Sequence, residues 1–195
     1  MIKKLILFTS VILFNPNLSY AEEVRAYRKA KVSFSDFKEL VGKVGKHREN
    51  NLVNFDTFLK MSKDPNVIIL DTRSEFRFKR IHLKGAKHLN FADFTQENLK
   101  KIIPDADTKI LIYCNNNFSG NELDFASKMF IPGENNPADD IASKQFTEQQ
   151  KSIMLALNVP TYINLYGYGY RNIYELHELL DVADSRIEFE GSLIK

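Results

Sequence analysis

Lys109-Ile110-Leu111-Ile112-Tyr113-Cys114 is the stretch that decides the fold. Its unbroken apolar run, rich in β-branched residues, reads as a strand buried on both faces, since a half-exposed strand would alternate with polar residues. The run ends directly on the only cysteine of the chain. Val67-Ile68-Ile69-Leu70 upstream has the same character, and Thr161-Tyr162-Ile163-Asn164-Leu165 downstream reads as a third core strand. Helical patterns fall between them. A short helix is expected over 33–43, and Asn54 is placed to cap a second that carries Phe55, Phe58, Leu59 and Met61 and stops near Asp64-Pro65-Asn66. Further helices are expected over Ser74–Arg80, Phe94–Ile103, Asn121–Phe130 and Arg171–Leu180, and a short strand over Ala86–Leu89. Strands alternating with helices specify an α/β fold whose central, mostly parallel sheet is flanked by helices on both faces.

Composition sets the outer limits. The 195 residues suit one globular domain, with 15 Phe and 8 Tyr to fill its core. One cysteine excludes a disulfide scaffold and a Cys-based zinc site. His47 and His177 have no ligand partner at metal spacing, so neither metal nor cofactor is expected. A net charge of +2 gives no case for nucleic acid.

The N-terminus reads as a signal peptide over 1–21. Lys3 and Lys4 precede the apolar run Leu5–Phe14, and Ser19 and Ala21 stand three and one residues before a cut at Glu22. The run falls short of the about 20 residues that span a bilayer, so no stable membrane span is expected after cleavage. Without Lys3 and Lys4 the 27 basic residues become 25, equal to the 25 acidic ones. The expected location is periplasmic or secreted. A helical extension over 22–50, a domain over 51–185 and a tail over 186–195 follow. Ile131-Pro-Gly-Glu-Asn-Asn-Pro-Ala-Asp-Asp140 interrupts the alternation and leads into a helical stretch around 146–157. This insertion, about 131–152, reads as a tolerated surface loop or as a lid or partner-binding element.

Chemistry concentrates at Cys114. Ligands of parallel α/β sheets bind beyond the carboxyl ends of the strands, where Cys114 lies. Asn115, Asn116, Asn117, Phe118 and Ser119 suit a tight loop, with a helix expected to begin near Ser119 or Gly120. Such a loop aims backbone N–H groups at one point, and the thiol would be lowered modestly, to about 6 to 7.5 from 8.5. An inert, buried cysteine closing a core strand is the alternative. A phosphatase loop is excluded, because the residue six after Cys114 is Gly120 rather than a phosphate-clamping Arg.

From about Asn51 to Asp181 the chain resembles the rhodanese-like sulfurtransferase family. The resemblance rests on Leu70-Asp71-Thr72-Arg73, on Arg80-Ile81-His82-Leu83-Lys84-Gly85-Ala86-Lys87-His88-Leu89-Asn90-Phe91, on Ile112-Tyr113-Cys114, and on Asn164-Leu165-Tyr166-Gly167-Tyr168-Gly169-Tyr170, which is similar to the family's late strand and Gly-rich turn. It implies a rhodanese-like fold in which the Cys114 thiolate takes sulfur from a small-molecule or protein-borne donor, holds it as a persulfide and passes it to a thiol or similar acceptor. It further implies that Asn115–Gly120 form the active loop, with Ser119 able to add a hydroxyl. Asp71, Arg73, His82 and Gly85 would support the fold rather than bind metal. The loop carries no charge, so a dianion such as thiosulfate finds no Arg or Lys within it. The other reading is a catalytically inactive rhodanese fold that binds a protein partner in an exported redox or cytochrome-related system.

Overall fold

The computed structural model describes residues 27–131 and 152–194. The proposed signal segment and most of the insertion therefore lie outside the described residues. The described residues from Phe34 onward pack as one unit.

Its elements, in chain order, begin with α1 (Phe34–Glu49), β1 (Leu52–Val53), α2 (Phe55–Ser62), β2 (Ile68–Asp71) and α3 (Glu75–Arg80). There follow β3 (His82–Leu83), β4 (Lys87–His88), α4 (Gln96–Ile102), β5 (Ile110–Tyr113), a 3₁₀ turn at Asn115–Asn117 and β6 (Phe118–Ser119). The chain closes with β7 (Met129–Phe130), β8 (Ile153–Met154), α5 (Asn158–Gly167), β9 (Ile173–Leu176), β10 (Leu180–Asp181) and β11 (Phe189–Glu190).

Five strands form a parallel sheet in the order β1-β9-β5-β2-β4, with β5 at the centre. The strand pleat explains the unbroken apolar run. Ile110 and Ile112 face a core made with Val44 of α1, Leu99 of α4 and Tyr162, Ile163 and Leu165 of α5. Leu111 and Tyr113 face the opposite core, with Phe55 and Phe58 of α2, Phe118 and Phe125. All four β5 residues are buried, as a strand covered on both sides requires. Asn54 caps α2 as its sequence position predicts, its Oδ1 accepting the Thr57 N–H at 3.0 Å.

Several expectations are corrected. Thr161–Leu165 is helix, not strand, within α5. Pro160 occupies the first turn, where an N–H has no intrahelical partner to lose, and the buried side chains follow helical rather than alternating spacing. The Tyr166–Tyr170 segment is accordingly the end of that helix. Gly169 takes φ +103° there and donates its N–H to the Tyr166 carbonyl. Arg171–Leu180 is not a helix: it holds β9 and starts β10. Its Glu175 is buried in β9, where Arg48 of α1 grips it with two 2.6 Å hydrogen bonds.

Asn121–Phe130 is a turn leading into β7, not a helix. Asp124 is buried in it and accepts from Arg80 Nε at 2.5 Å, while Asn121 Oδ1 takes the Asp124 N–H. No helix begins near Ser119 or Gly120; β6 stands there and pairs in parallel with β10. In the expected helical stretch 146–157, the described part holds β8 instead, paired antiparallel with β7. These two strands bracket the insertion in sequence.

The helix expected over 33–43 runs on to Glu49 as α1 and packs on α5 and β9. In the C-terminal segment, β11 pairs antiparallel with β3. Gly191 has φ +131°, and a Cβ there would collide with the Arg80 carbonyl.

Candidate active site

The site lies at the carboxyl ends of β2 and β5, the two strands that the sequence singles out most clearly. A cavity of about 330 Å³ opens there. Thr72, Arg73, Ser74 and Arg77 line it from the β2–α3 turn, and Asn90, Phe91 and Ala92 from the segment after β4. That segment is fastened over the end of β2 by Leu89 N–H to Asp71 O and Phe91 N–H to Thr72 O, both 3.1 Å. Cys114, Asn115 and Asn116 contribute from the end of β5, Lys128 from the root of β7, and Leu157 from the start of α5.

Cys114 is 2% exposed, so its sulfur belongs to the cavity floor rather than its mouth. Burial pushes the thiol up from its ordinary range. Backbone N–H groups of Asn116, Asn158 and Leu157 pull the other way, and the Glu175 carboxylate adds to the rise. The net direction is upward, which corrects the lowered value read from the loop alone. The backbone N–H groups that act on the thiol come from a different source than the sequence indicates. One donor comes from the loop, and two come from the N-terminus of α5. That helix begins in the segment read as a strand.

The three asparagines do three different jobs. Asn115 is buried, and its Oδ1 has no hydrogen-bond partner among the described residues. Asn116 forms a two-bond amide pair with the Lys128 backbone: its Oδ1 accepts the Lys128 N–H at 3.0 Å and its Nδ2 donates to the Lys128 carbonyl at 3.1 Å. Asn117 is a buried tie. Its Oδ1 accepts the Cys114 N–H at 3.0 Å and the Asn158 Nδ2 at 3.1 Å, and its Nδ2 donates to the Leu176 carbonyl at 2.8 Å. Asn117 thereby joins the ends of β5 and β9 to the start of α5.

Phe118, Ser119 and Gly120 turn away from the cavity. Phe118 packs on Tyr113, Phe125 and Phe189. Ser119 Oγ donates to the Leu180 carbonyl at 3.3 Å, and Gly120, at φ +83°, sits against the Asp181 side chain.

Beneath the cavity, Asp71 and Arg73 form a buried pair. Arg73 Nη2 donates to Asp71 Oδ2 at 2.7 Å and to the Ile81 carbonyl at 2.6 Å, and Tyr113 donates its hydroxyl to Asp71 Oδ2 at 2.5 Å. The Tyr113 hydroxyl also accepts the Leu83 N–H at 3.1 Å. Burial and the Asp71 carboxylate push the Tyr113 phenol well up, so it stays a donor. His82 stacks on Phe78 and bonds the Phe78 carbonyl, and His88 stacks on the same ring and bonds the Arg73 carbonyl. Gly85, at φ +76°, makes the turn between β3 and β4. Among the described residues no group of His, Cys, Asp and Glu suits a metal ion, and no helix is long and apolar enough to cross a membrane.

Sequence reasoning finds Cys114 and the strand ends but misses Arg77, Lys128, Leu157 and Asn158. For the last two a signal exists: Asn158-Val159-Pro160 places an asparagine and a proline as a helix start does. For Lys128 none exists, because only the tertiary pairing with Asn116 brings it to the cysteine.

Residues 54–135 match the rhodanese-like domain family. No curated protein matches the chain. Among solved structures, the chain is similar to a polysulfide-sulfur transferase homodimer from Wolinella succinogenes, at TM-score 0.40 and 14% identity over 77% of this chain and 91% of that one. The BH2092 protein of Bacillus halodurans gives TM-score 0.39 and 15% identity over 82% and 86%, and the Alr3790 protein of Anabaena sp. gives 0.35 and 15% over 66% and 80%.

Proposed function

We propose, from the match of residues 54–135 to the rhodanese-like domain family, that the chain is an exported sulfurtransferase that carries sulfane sulfur on Cys114. The observation that carries the reading is the place of Cys114, at the floor of a cavity at the carboxyl ends of β2 and β5 that Arg77, Lys128 and Leu157 at the start of α5 also line. Such an arrangement can hold an anionic sulfur.

In the first step the Cys114 thiol loses its proton to solvent and the thiolate attacks the outer sulfur of a donor. A new S–S bond forms, and the donor's old bond to that sulfur leaves with its electron pair. The product is a persulfide whose terminal sulfur extends into the cavity. An acceptor thiolate then attacks that sulfur and releases the Cys114 thiolate. Export rests on the leader-like sequence Met1–Ala21.

Burial of the thiol favours a second reading, a binding module whose cysteine only closes β5. Iodoacetamide labelling of the folded protein separates the two. Because the thiol is pushed up, the thiolate fraction rises through the alkaline range. For a carrier, labelling should accelerate with pH up to and beyond about 8.5. Labelling that requires unfolding at every pH would establish the binding module, and a rate already level below pH 7 would contradict the upward direction assigned to the thiol.

A further inference from the structure

The active loop has no charge, yet the site is not without cations. Three basic residues line the cavity; Arg73 is paired with a carboxylate, and Arg77 is tied to a backbone carbonyl. Arg73 is locked on Asp71 and the Ile81 carbonyl, and Arg77 Nη1 donates to the Leu123 carbonyl at 2.6 Å. Lys128 is exposed and makes no ion pair with any described residue. Its backbone is nonetheless held firmly. The Asn116 amide takes both its N–H and its carbonyl, and the Leu155 N–H donates to the same carbonyl at 2.8 Å. Asn116, two residues after Cys114 and lining the same cavity, thus anchors the backbone from which the Lys128 side chain extends.

We propose that Lys128 selects anionic sulfur donors for Cys114, and that Asn116 is the residue that positions it. The inference rests on sulfur being carried by Cys114. In the step concerned, thiosulfate gives its outer sulfur to the thiolate and leaves as sulfite with the bonding electron pair, so one trianionic total charge stands on both sides. The ammonium offsets part of that charge while the two anions approach. A neutral donor needs no such help. A basic residue placed at position 116 would break the amide pair and displace Lys128, so it would not improve use of an anion.

The test compares thiosulfate with a neutral organic trisulfide as donors to the full chain, reading persulfide formation on Cys114. Lys128→Met should raise the KM for thiosulfate about tenfold and leave the KM for the trisulfide unchanged. Lys128→Arg should restore most of the loss. Asn116→Ala, which keeps the charge but frees it, should shift thiosulfate in the same direction by a smaller factor. If Lys128→Met leaves thiosulfate unaffected, or impairs both donors equally, the inference is overturned while sulfur transfer stands. If neither donor charges Cys114 in the unaltered protein, the proposed function fails and this inference fails with it.

Discussion

Arg73→Leu destabilises the protein by about 3 to 5 kcal/mol in denaturant unfolding. The guanidinium and the Asp71 carboxylate are 2% and 0% exposed, so neither charge has water to fall back on. Removing the arginine leaves a buried carboxylate facing only the Tyr113 hydroxyl and the Arg73 backbone N–H. It also leaves the Ile81 carbonyl, which Arg73 Nη2 satisfies, without that donor. The origin of the loss is checked by adding Asp71→Asn. The neutral amide no longer carries an uncompensated charge, so the double variant should be more stable than Arg73→Leu alone. A loss under about 1 kcal/mol, or a double variant weaker by the sum of the two singles, would show that the pair does not act as a unit.

Cys114→Ser should lower sulfur transfer by at least about a thousandfold, since a hydroxyl is a poor nucleophile and cannot form a persulfide. No second thiol can take over, because the chain has one cysteine. Stability should change by less than about 1 kcal/mol, because the two side chains are similar in size. The measurement pairs a turnover assay with thermal unfolding of both proteins. Residual transfer above a hundredth of the original would place the chemistry elsewhere.

The parallel sheet and its chemical edge were legible from two apolar runs, because a strand buried on both faces leaves an unbroken signature. Val67–Leu70 and Lys109–Tyr113 became β2 and β5, and Cys114 lies where the second ends. The C-terminal half was misread for a physical reason. The β-branched and aromatic residues of Thr161–Leu165 have strand propensity, but burial along one side of a helix overrides it. β9 lies in the segment read as a helix over Arg171–Leu180; its buried Glu175 pairs with Arg48, 127 residues away, and no local pattern reveals that pair. The same error hid the source of the N–H groups at Cys114. A loop followed by its own helix was expected; instead α5, after the insertion, supplies the helix N-terminus. The neutral loop was read correctly, whereas the charge of the site was not, since Lys128 reaches it only through Asn116.

Intact mass after donor treatment bears most directly on Cys114 as the sulfur carrier. The purified protein is exposed to a sulfane donor, freed of excess donor, and weighed before and after addition of a thiol. One added sulfur, about 32 Da, is expected on the peptide that contains Cys114; the thiol should remove it, and Cys114→Ser should never acquire it. An unchanged mass in folded protein whose Cys114 is labelled by iodoacetamide would contradict the assignment.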